Sequence, residues 1–129
     1  MGAPPLTFTL LPAVLSVCRL DAGSGVPDWA LSGPFVSATR TADELSIICA
    51  EAAVPAGVVA APGWRCLKLE GPFDFSATGL VASFSGALAG AGISLMVGCT
   101  YDTDYLLVRG DDLGRAIAAL ERGGFRIGR

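Results

Sequence analysis

"ISLMVGCTYDTDYLLVR", residues 93–109, decides how this chain folds. Two apolar runs, "ISLMVGC" (93–99) and "DYLLVR" (104–109), are separated by a short polar span that contains Asp102, with Asp104 at its edge. Apolar runs of this length are strands. A gap this short joins them as an antiparallel hairpin rather than through a helical crossover. Helical patterns lie on both sides. Upstream, Ala77, Leu80, Val81, Phe84, Leu88 and Ala91 recur at helical spacing, with Ser76 or Thr78 as candidate N-cap and Gly92 as stop. The remaining positions, Ser83, Ser85, Gly86 and Gly90, are poor helix formers, so this helix depends on packing. Downstream, "GDDLGRAIAALERGG" (110–124) places Asp111 and Asp112 at a helix start. Leu113, Ile117 and Leu120 form one face, and Gly123-Gly124 is the C-cap.

Strands at "WRCLKLEG" (64–71) and "FRIG" (125–128) complete the order β-α-β-β-α-β, the ferredoxin-like arrangement. The first half carries a shortened form of the same order. "LTFTLL" (6–11) and "LSVCRLD" (15–21) read as strand, bent at Pro12-Ala13, and "VPDWAL" (26–31) as one helical turn starting at Pro27. "PFVSATRT" (34–41) and "DELSIICAE" (43–51) are strands, while "AAVPAGVVAAPG" (52–63) is a short helix or loop. The expected class is α+β: two ferredoxin-like subdomains with antiparallel sheets and helices on one face. The first, 1–62, is degenerate, and the second, 63–129, is complete.

Composition narrows the function. Hydrophobic residues make up 52% of the 129 and charged ones only 16%, which excludes general disorder and suggests self-association. Nine basic residues are scattered singly under a net charge of −3, so neither a nucleic acid nor an anionic membrane is an expected partner. There is no histidine and no C-x-x-C pair, which removes the usual zinc sites and the Ser-His and Cys-His nucleophiles. Cys18, Cys49, Cys66 and Cys99 read as reduced, buried thiols. Trp29 and Trp64 read as core or interface anchors, and Arg40 and Glu51 as solvent-facing. The N-terminal stretch shows neither a signal peptide nor a membrane span, so a cytoplasmic location is expected.

The aspartates of the hairpin admit several readings. "DTD" opens like a calcium loop, but no Gly and distal Glu follow at the right distances. An acid–base pair has no partner nearby. Asp102 suits turn chemistry. Asp104 adjoins the run "YLLV", where a strand would not select it for its own sake, and it is the better candidate for ligand recognition. A second candidate is the loop "GPFDFSATG" (71–79). A helix N-terminus leaves backbone N–H groups unpaired, and Gly79 lets a ligand carboxylate approach them. Ser76 and Thr78 add hydroxyls, while Asp74, Asp102 and Asp104 can accept from an ammonium.

These segments, with "RTADELSIICAE" (40–51) and "AGIS" (91–94), resemble a family of small tandem ACT-domain proteins, of which the CASTOR-type arginine sensors look like duplicated, distant members. The resemblance spans about residues 10 to 126. It implies a regulatory, non-catalytic module that binds an amino acid where two ACT units meet, within the chain or across a homodimer. It implies ligand contacts from Asp74, Ser76, Thr78 and Gly79 in the loop, Ser94 and Leu95 on the following strand, and Thr100 and Asp104 around the hairpin. "CTY" stands at 99–101 where "STY" is usual in the family, which puts a hydroxyl role at that position in doubt. No metal or cofactor is expected. Besides an amino acid and a second copy, a protein target is an expected partner. The other readings are a ligand-free oligomerisation module that has kept the fold, and an enzyme such as an acylphosphatase. Against the enzyme, the chain has no Asn and its loop 71–79 has no Arg.

Overall fold

The computed structural model describes residues 6–73 and 78–128. Strand β1 spans Thr7–Leu20, followed by a 3-10 turn at Asp28–Leu31, β2 at Ser37–Arg40 and β3 at Leu45–Ala50. A 3-10 turn at Glu51–Ala53 leads to β4 at Val59–Leu69. Helix α1 is Leu80–Gly90, β5 Leu95–Cys99 and β6 Asp104–Arg109. A 3-10 turn at Gly110–Asp112 runs into α2, Leu113–Arg122, and β7 closes the chain at Arg126–Gly128. The fold is α+β. The chain forms two compact units, one of Pro12–Trp64 and one of Met1–Leu11 with Arg65–Arg129. The start of β1 thus goes with the later unit, where the sequence reading put the division at 62/63.

The second of these units carries the β-α-β-β-α-β order. Its strands lie in the order β7-β1-β4-β6-β5, with β5 and β6 antiparallel, from Leu95 opposite Val108 to Cys99 opposite Asp104. Strand β7 pairs with the start of β1 in parallel, Thr7 opposite Arg126, an exception to the antiparallel sheets expected. The start of β1 bridges there to both sides: Leu6 O accepts from Arg126 N at 2.8 Å and Thr7 O from Glu70 N at 2.8 Å.

Alternation along the strands builds the core. Leu67 and Leu69 of β4 and Leu106 and Val108 of β6 meet Phe84 and Leu88 of α1 and Ala116, Ala119 and Leu120 of α2. Phe8 lies edge-on to Phe84, ring centroids 5.5 Å apart, and tilted against Phe125 at 5.4 Å. Each fully buried side chain of this size contributes roughly 1.5–3 kcal/mol. Val81, read as part of the apolar face, is instead exposed, because α1 turns only Phe84 and Leu88 fully inward.

In the unit Pro12–Trp64, β3 pairs antiparallel with both β1 and β2. Cys18, Ala30, Leu45, Ile47 and Cys49 form its core, with Trp29 packed against them. Trp64 is buried. Strand β1 runs unbroken through Pro12-Ala13, where a bend was expected. The segment 52–63 begins in the short 3-10 helix Glu51–Ala53, continues as a loop and enters β4 at Val59. Arg40 and Glu51 are exposed, yet both tie the backbone. The Arg40 guanidinium donates to the Ala22 and Ser24 carbonyls, and Glu51 Oε1 accepts from Gly63 N at 2.8 Å.

Three cysteines are buried as expected, and burial pushes the Cys66 thiol up to about 12. Burial, with the neighbouring Cys18 thiol, lifts Cys49 to about 11. Cys99 is exposed, contrary to expectation, because the strand end that carries it forms the rim of a cleft.

Candidate functional site

The site grows out of the hairpin turn between β5 and β6. Thr100 N donates to Thr103 O at 2.9 Å, and the Thr100 hydroxyl also donates to Thr103 O at 3.1 Å. The turn is thus closed by threonine hydroxyl and backbone groups, where the sequence suggested Asp102. Asp102 contributes through its carbonyl, which accepts from Phe73 N at 2.7 Å. Thr103 is the least obvious member. It is buried between two aspartates, and its hydroxyl donates to Leu69 O at 2.6 Å, fastening the turn to the end of β4. Gly71 makes this approach feasible. A Cβ there would meet Phe73 Cδ2 at 3.0 Å and Asp102 O at 3.2 Å. The Gly71–Pro72 peptide is cis.

Opposite the turn stands the first turn of α1. Gly79 is its N-cap, with φ 79° and ψ −2° and no side-chain cap. The N-cap expected at Ser76 or Thr78 therefore moves to a glycine. The left-handed backbone at that point is cheap only without a Cβ, and Thr78 lies exposed one residue before it. Gly79 O accepts from Ser83 N at 2.9 Å, the first bond of the helix. The N–H groups of Leu80, Val81 and Ala82 come before that bond and have no acceptor within the helix. They carry the positive end of its dipole.

Between helix start and hairpin lies a cleft of about 350 Å³, lined by Phe73, by Gly79 to Ala82 and by Cys99 to Asp104. Among the described residues its acidic groups are Asp102 and Asp104. Asp104 sits directly across the hairpin from Cys99. The Asp104 carboxylate, hydrogen-bonded to the thiol, holds Cys99 above the ordinary thiol range, with desolvation adding to the effect. The cleft is therefore bounded by the first turn of a helix on one side and by the acid-bearing hairpin turn on the other.

Of the eight residues implicated by sequence, Gly79, Thr100 and Asp104 line this cleft. Thr78 flanks it. Asp74 and Ser76 lie outside the described residues. Ser94 precedes β5, and Leu95 begins it, at the end paired with Val108. From Ser94 to Cys99 is about 17 Å of extended chain at roughly 3.4 Å per residue, so these two are not gathered with the others within the unit. The sequence reading missed Phe73, Tyr101 and Thr103; the helix-start amides it invoked are those of Leu80 to Ala82. The signal for Thr103 was a β-branched residue inside a turn, a place where its hydroxyl needs a partner. Among the described residues no three of Cys, Asp or Glu converge to hold a metal.

The ACT-domain family profile matches residues 59–122, and a second family profile, for an N-terminal domain, matches residues 14–57. The solved structure of protein Atu0741 from Agobacterium tumefaciens is 42% identical, covers 97% of this chain and 93% of its own, and superposes with a TM-score of 0.90. The chain belongs to the ACT-domain family. The human cytosolic arginine sensor for mTORC1 subunit 1 is 38% identical over 60 residues, which is 46% of this chain and 18% of the sensor. The match thus spans less than a fifth of the length of that curated relative. At the level of fold alone, the regulatory subunit of aspartate kinase from Thermus thermophilus is 13% identical with a TM-score of 0.59, covering 88% of this chain and 93% of that one. ACT domains are regulatory modules. Among the described residues no helix is long and apolar enough to cross a membrane.

Proposed function

We propose that this ACT protein is a non-catalytic sensor of an amino acid, held in the cleft between the start of α1 and the β5–β6 hairpin. One observation carries the reading: the first turn of α1, whose N-cap is a glycine without a side-chain cap, lines the same cleft as Asp104. A free amino acid has the matching charges. Its carboxylate suits the N–H groups of Leu80, Val81 and Ala82 beside Gly79, where an anion meets both donors and dipole. Its ammonium suits Asp104, and Asp74 is assigned the same role from sequence. A neutral metabolite would leave both walls uncompensated. The arginine for which the human sensor is named agrees with this class of ligand.

The reading extends to assembly. Ser94 and Leu95 serve the cleft of a second copy, which makes the homodimer the working unit. The unit Pro12–Trp64, with its β1, 3-10 turn, β2 and β3, is a shortened relative of the ACT unit, giving two ferredoxin-like subdomains in tandem. The protein works in the cytoplasm and passes its signal to a protein target.

The test is a thermal-shift screen of the twenty amino acids at millimolar concentration. One or a few should raise the melting temperature in a saturable way, since a ligand bound only by the native state stabilises it by mass action. Asp104→Ala should abolish that shift. If no amino acid shifts the protein, the chain is a ligand-free oligomerisation module of ACT fold.

A further inference from the structure

The hairpin ends at a pair of which the functional reading uses only Asp104. Cys99 and Asp104 are directly opposite each other at the last rung of β5 and β6, and both line the cleft. Side chains facing each other across an antiparallel rung have Cβ atoms about 4.5–5.5 Å apart, which brings a thiol against a carboxylate. The remaining thiols, Cys18, Cys49 and Cys66, are buried, whereas Cys99 is exposed. A carboxylate at a strand end has free rotation about its side-chain bonds, and ordering it costs entropy. A donor fixed across the rung removes part of that freedom before a ligand arrives.

We infer that Cys99 is the positioning residue for Asp104: from across the rung its thiol orients the carboxylate toward the cleft, so that capture of a ligand ammonium depends on an intact, protonated thiol. The inference rests on the amino-acid reading of the cleft. Its chemistry is a single donated hydrogen bond, S–H to carboxylate oxygen. The raised titration of the Cys99 thiol agrees with that direction, since the carboxylate favours the protonated form. A thiol that is alkylated or ionised donates nothing, and an ionised one repels the carboxylate. Among the described residues, the other titratable groups lining the cleft are Asp102 and Tyr101, both on the same turn, while the lining residues of α1 bring none.

The burial of the other three thiols makes the test selective, because N-ethylmaleimide on the native protein reports Cys99 alone. Labelling rate against pH is measured for the wild type and for Asp104→Asn. Amino-acid affinity is measured by calorimetry for the wild type, Cys99→Ala and Cys99→Ser, with circular dichroism confirming that each variant folds. Asp104→Asn should shift the labelling profile to lower pH, and bound amino acid should slow labelling several-fold. Cys99→Ala should weaken binding about tenfold, and Cys99→Ser, which restores a donor, should recover most of it. An unchanged labelling profile in Asp104→Asn overturns the thiol–carboxylate contact. A shifted profile with unaltered affinity in Cys99→Ala overturns the positioning role while the amino-acid reading stands. Absence of binding to the wild type overturns that reading, and the positioning role with it, whatever the labelling shows.

Discussion

Helices α1 and α2 have almost the same length and share one core, yet they are built in opposite ways. Helix α2, "LGRAIAALER", places Ala116, Ile117, Ala119 and Leu120 inward and Arg115, Glu121 and Arg122 outward. It is amphipathic in the ordinary sense, with Asp112 at its positive end and Arg122 at its negative one. Helix α1, "LVASFSGALAG", has no charged residue, two interior or terminal glycines, and only Phe84 and Leu88 fully buried. Its last carbonyls accept from the amides of Ala91, Gly92 and Ile93, and Arg115 of α2 adds a bond to Ala91 O at 2.9 Å. What differs with it is position. The start of α2 makes a tight 3-10 turn with Asp111 and Asp112, while the start of α1 is an uncapped glycine opening on the cleft. The helix that holds the unit together is charged at both ends, although it too lacks a side-chain N-cap. The helix that lines the cleft starts at a glycine without a side-chain cap and relies on two buried anchors.

That contrast predicts unequal fragility. Phe84→Ala removes half of the fully buried anchorage of α1 and the edge contact with Phe8. It should cost about 3–5 kcal/mol in chemical denaturation, and Leu120→Ala in α2 about 2–5 kcal/mol. The sharper readout is hydrogen exchange. In Phe84→Ala the amides of Leu80–Gly90 should lose protection while those of Leu113–Arg122 keep it. If both helices open together, the two are one cooperative element and the comparison fails.

The same contrast explains what the sequence made legible. Helix α2 could be read almost to the residue, because capping, charge and apolar period agree with one another. The hairpin was equally clear, β6 beginning at Asp104 and β5 ending at Cys99. The α1 boundary was not. Its serines and threonines before the helix look like caps, but the chain uses the left-handed freedom of Gly79, which leaves no side-chain signature. Cys99 was read by its apolar neighbours in "MVGC", and only the pairing with Asp104 reveals that it sits at a rim. In the site, Asp104 and Gly79 were found because a strand-adjacent acid and a pre-helix glycine each break a local rule. Thr103 was missed because its role lies in reaching Leu69, 34 residues away in sequence. The parallel pairing of β7 with β1 is non-local in the same sense, since no local pattern says which strand will lie beside a three-residue terminal one.

The second prediction acts at the open start of α1. Gly79→Ala puts a Cβ on a residue at φ 79°. There is space for it, since no atom lies within 4 Å of that Cβ position. The cost is therefore backbone strain alone, roughly 1–2 kcal/mol. It should also lower affinity for the amino acid, because relieving the strain turns the first amides away from the cleft. Stability loss with unchanged affinity would show that the helix start has no part in binding.

The smallest effect separates a free helix face from an occupied one. Gly86 lies mid-helix in α1 and Gly114 in the first turn of α2, and a Cβ at either meets no atom within 4 Å. On an isolated chain both changes to Ala should stabilise, by roughly 0.5–1 kcal/mol in a helix interior, with Gly114→Ala at the lower end because it is nearer the terminus. Such a gain is there to be taken unless the glycine serves something outside the chain. If the charge-free face of α1 seats a second copy, Gly86→Ala should lose its gain at concentrations where the protein self-associates and regain it on dilution, while Gly114→Ala stays constant throughout. Denaturation midpoints of the two variants, measured across a hundredfold range of protein concentration, make the comparison. Parallel behaviour would mean that the weakness of α1 lies in its sequence alone, and that the second copy proposed to complete the cleft docks elsewhere.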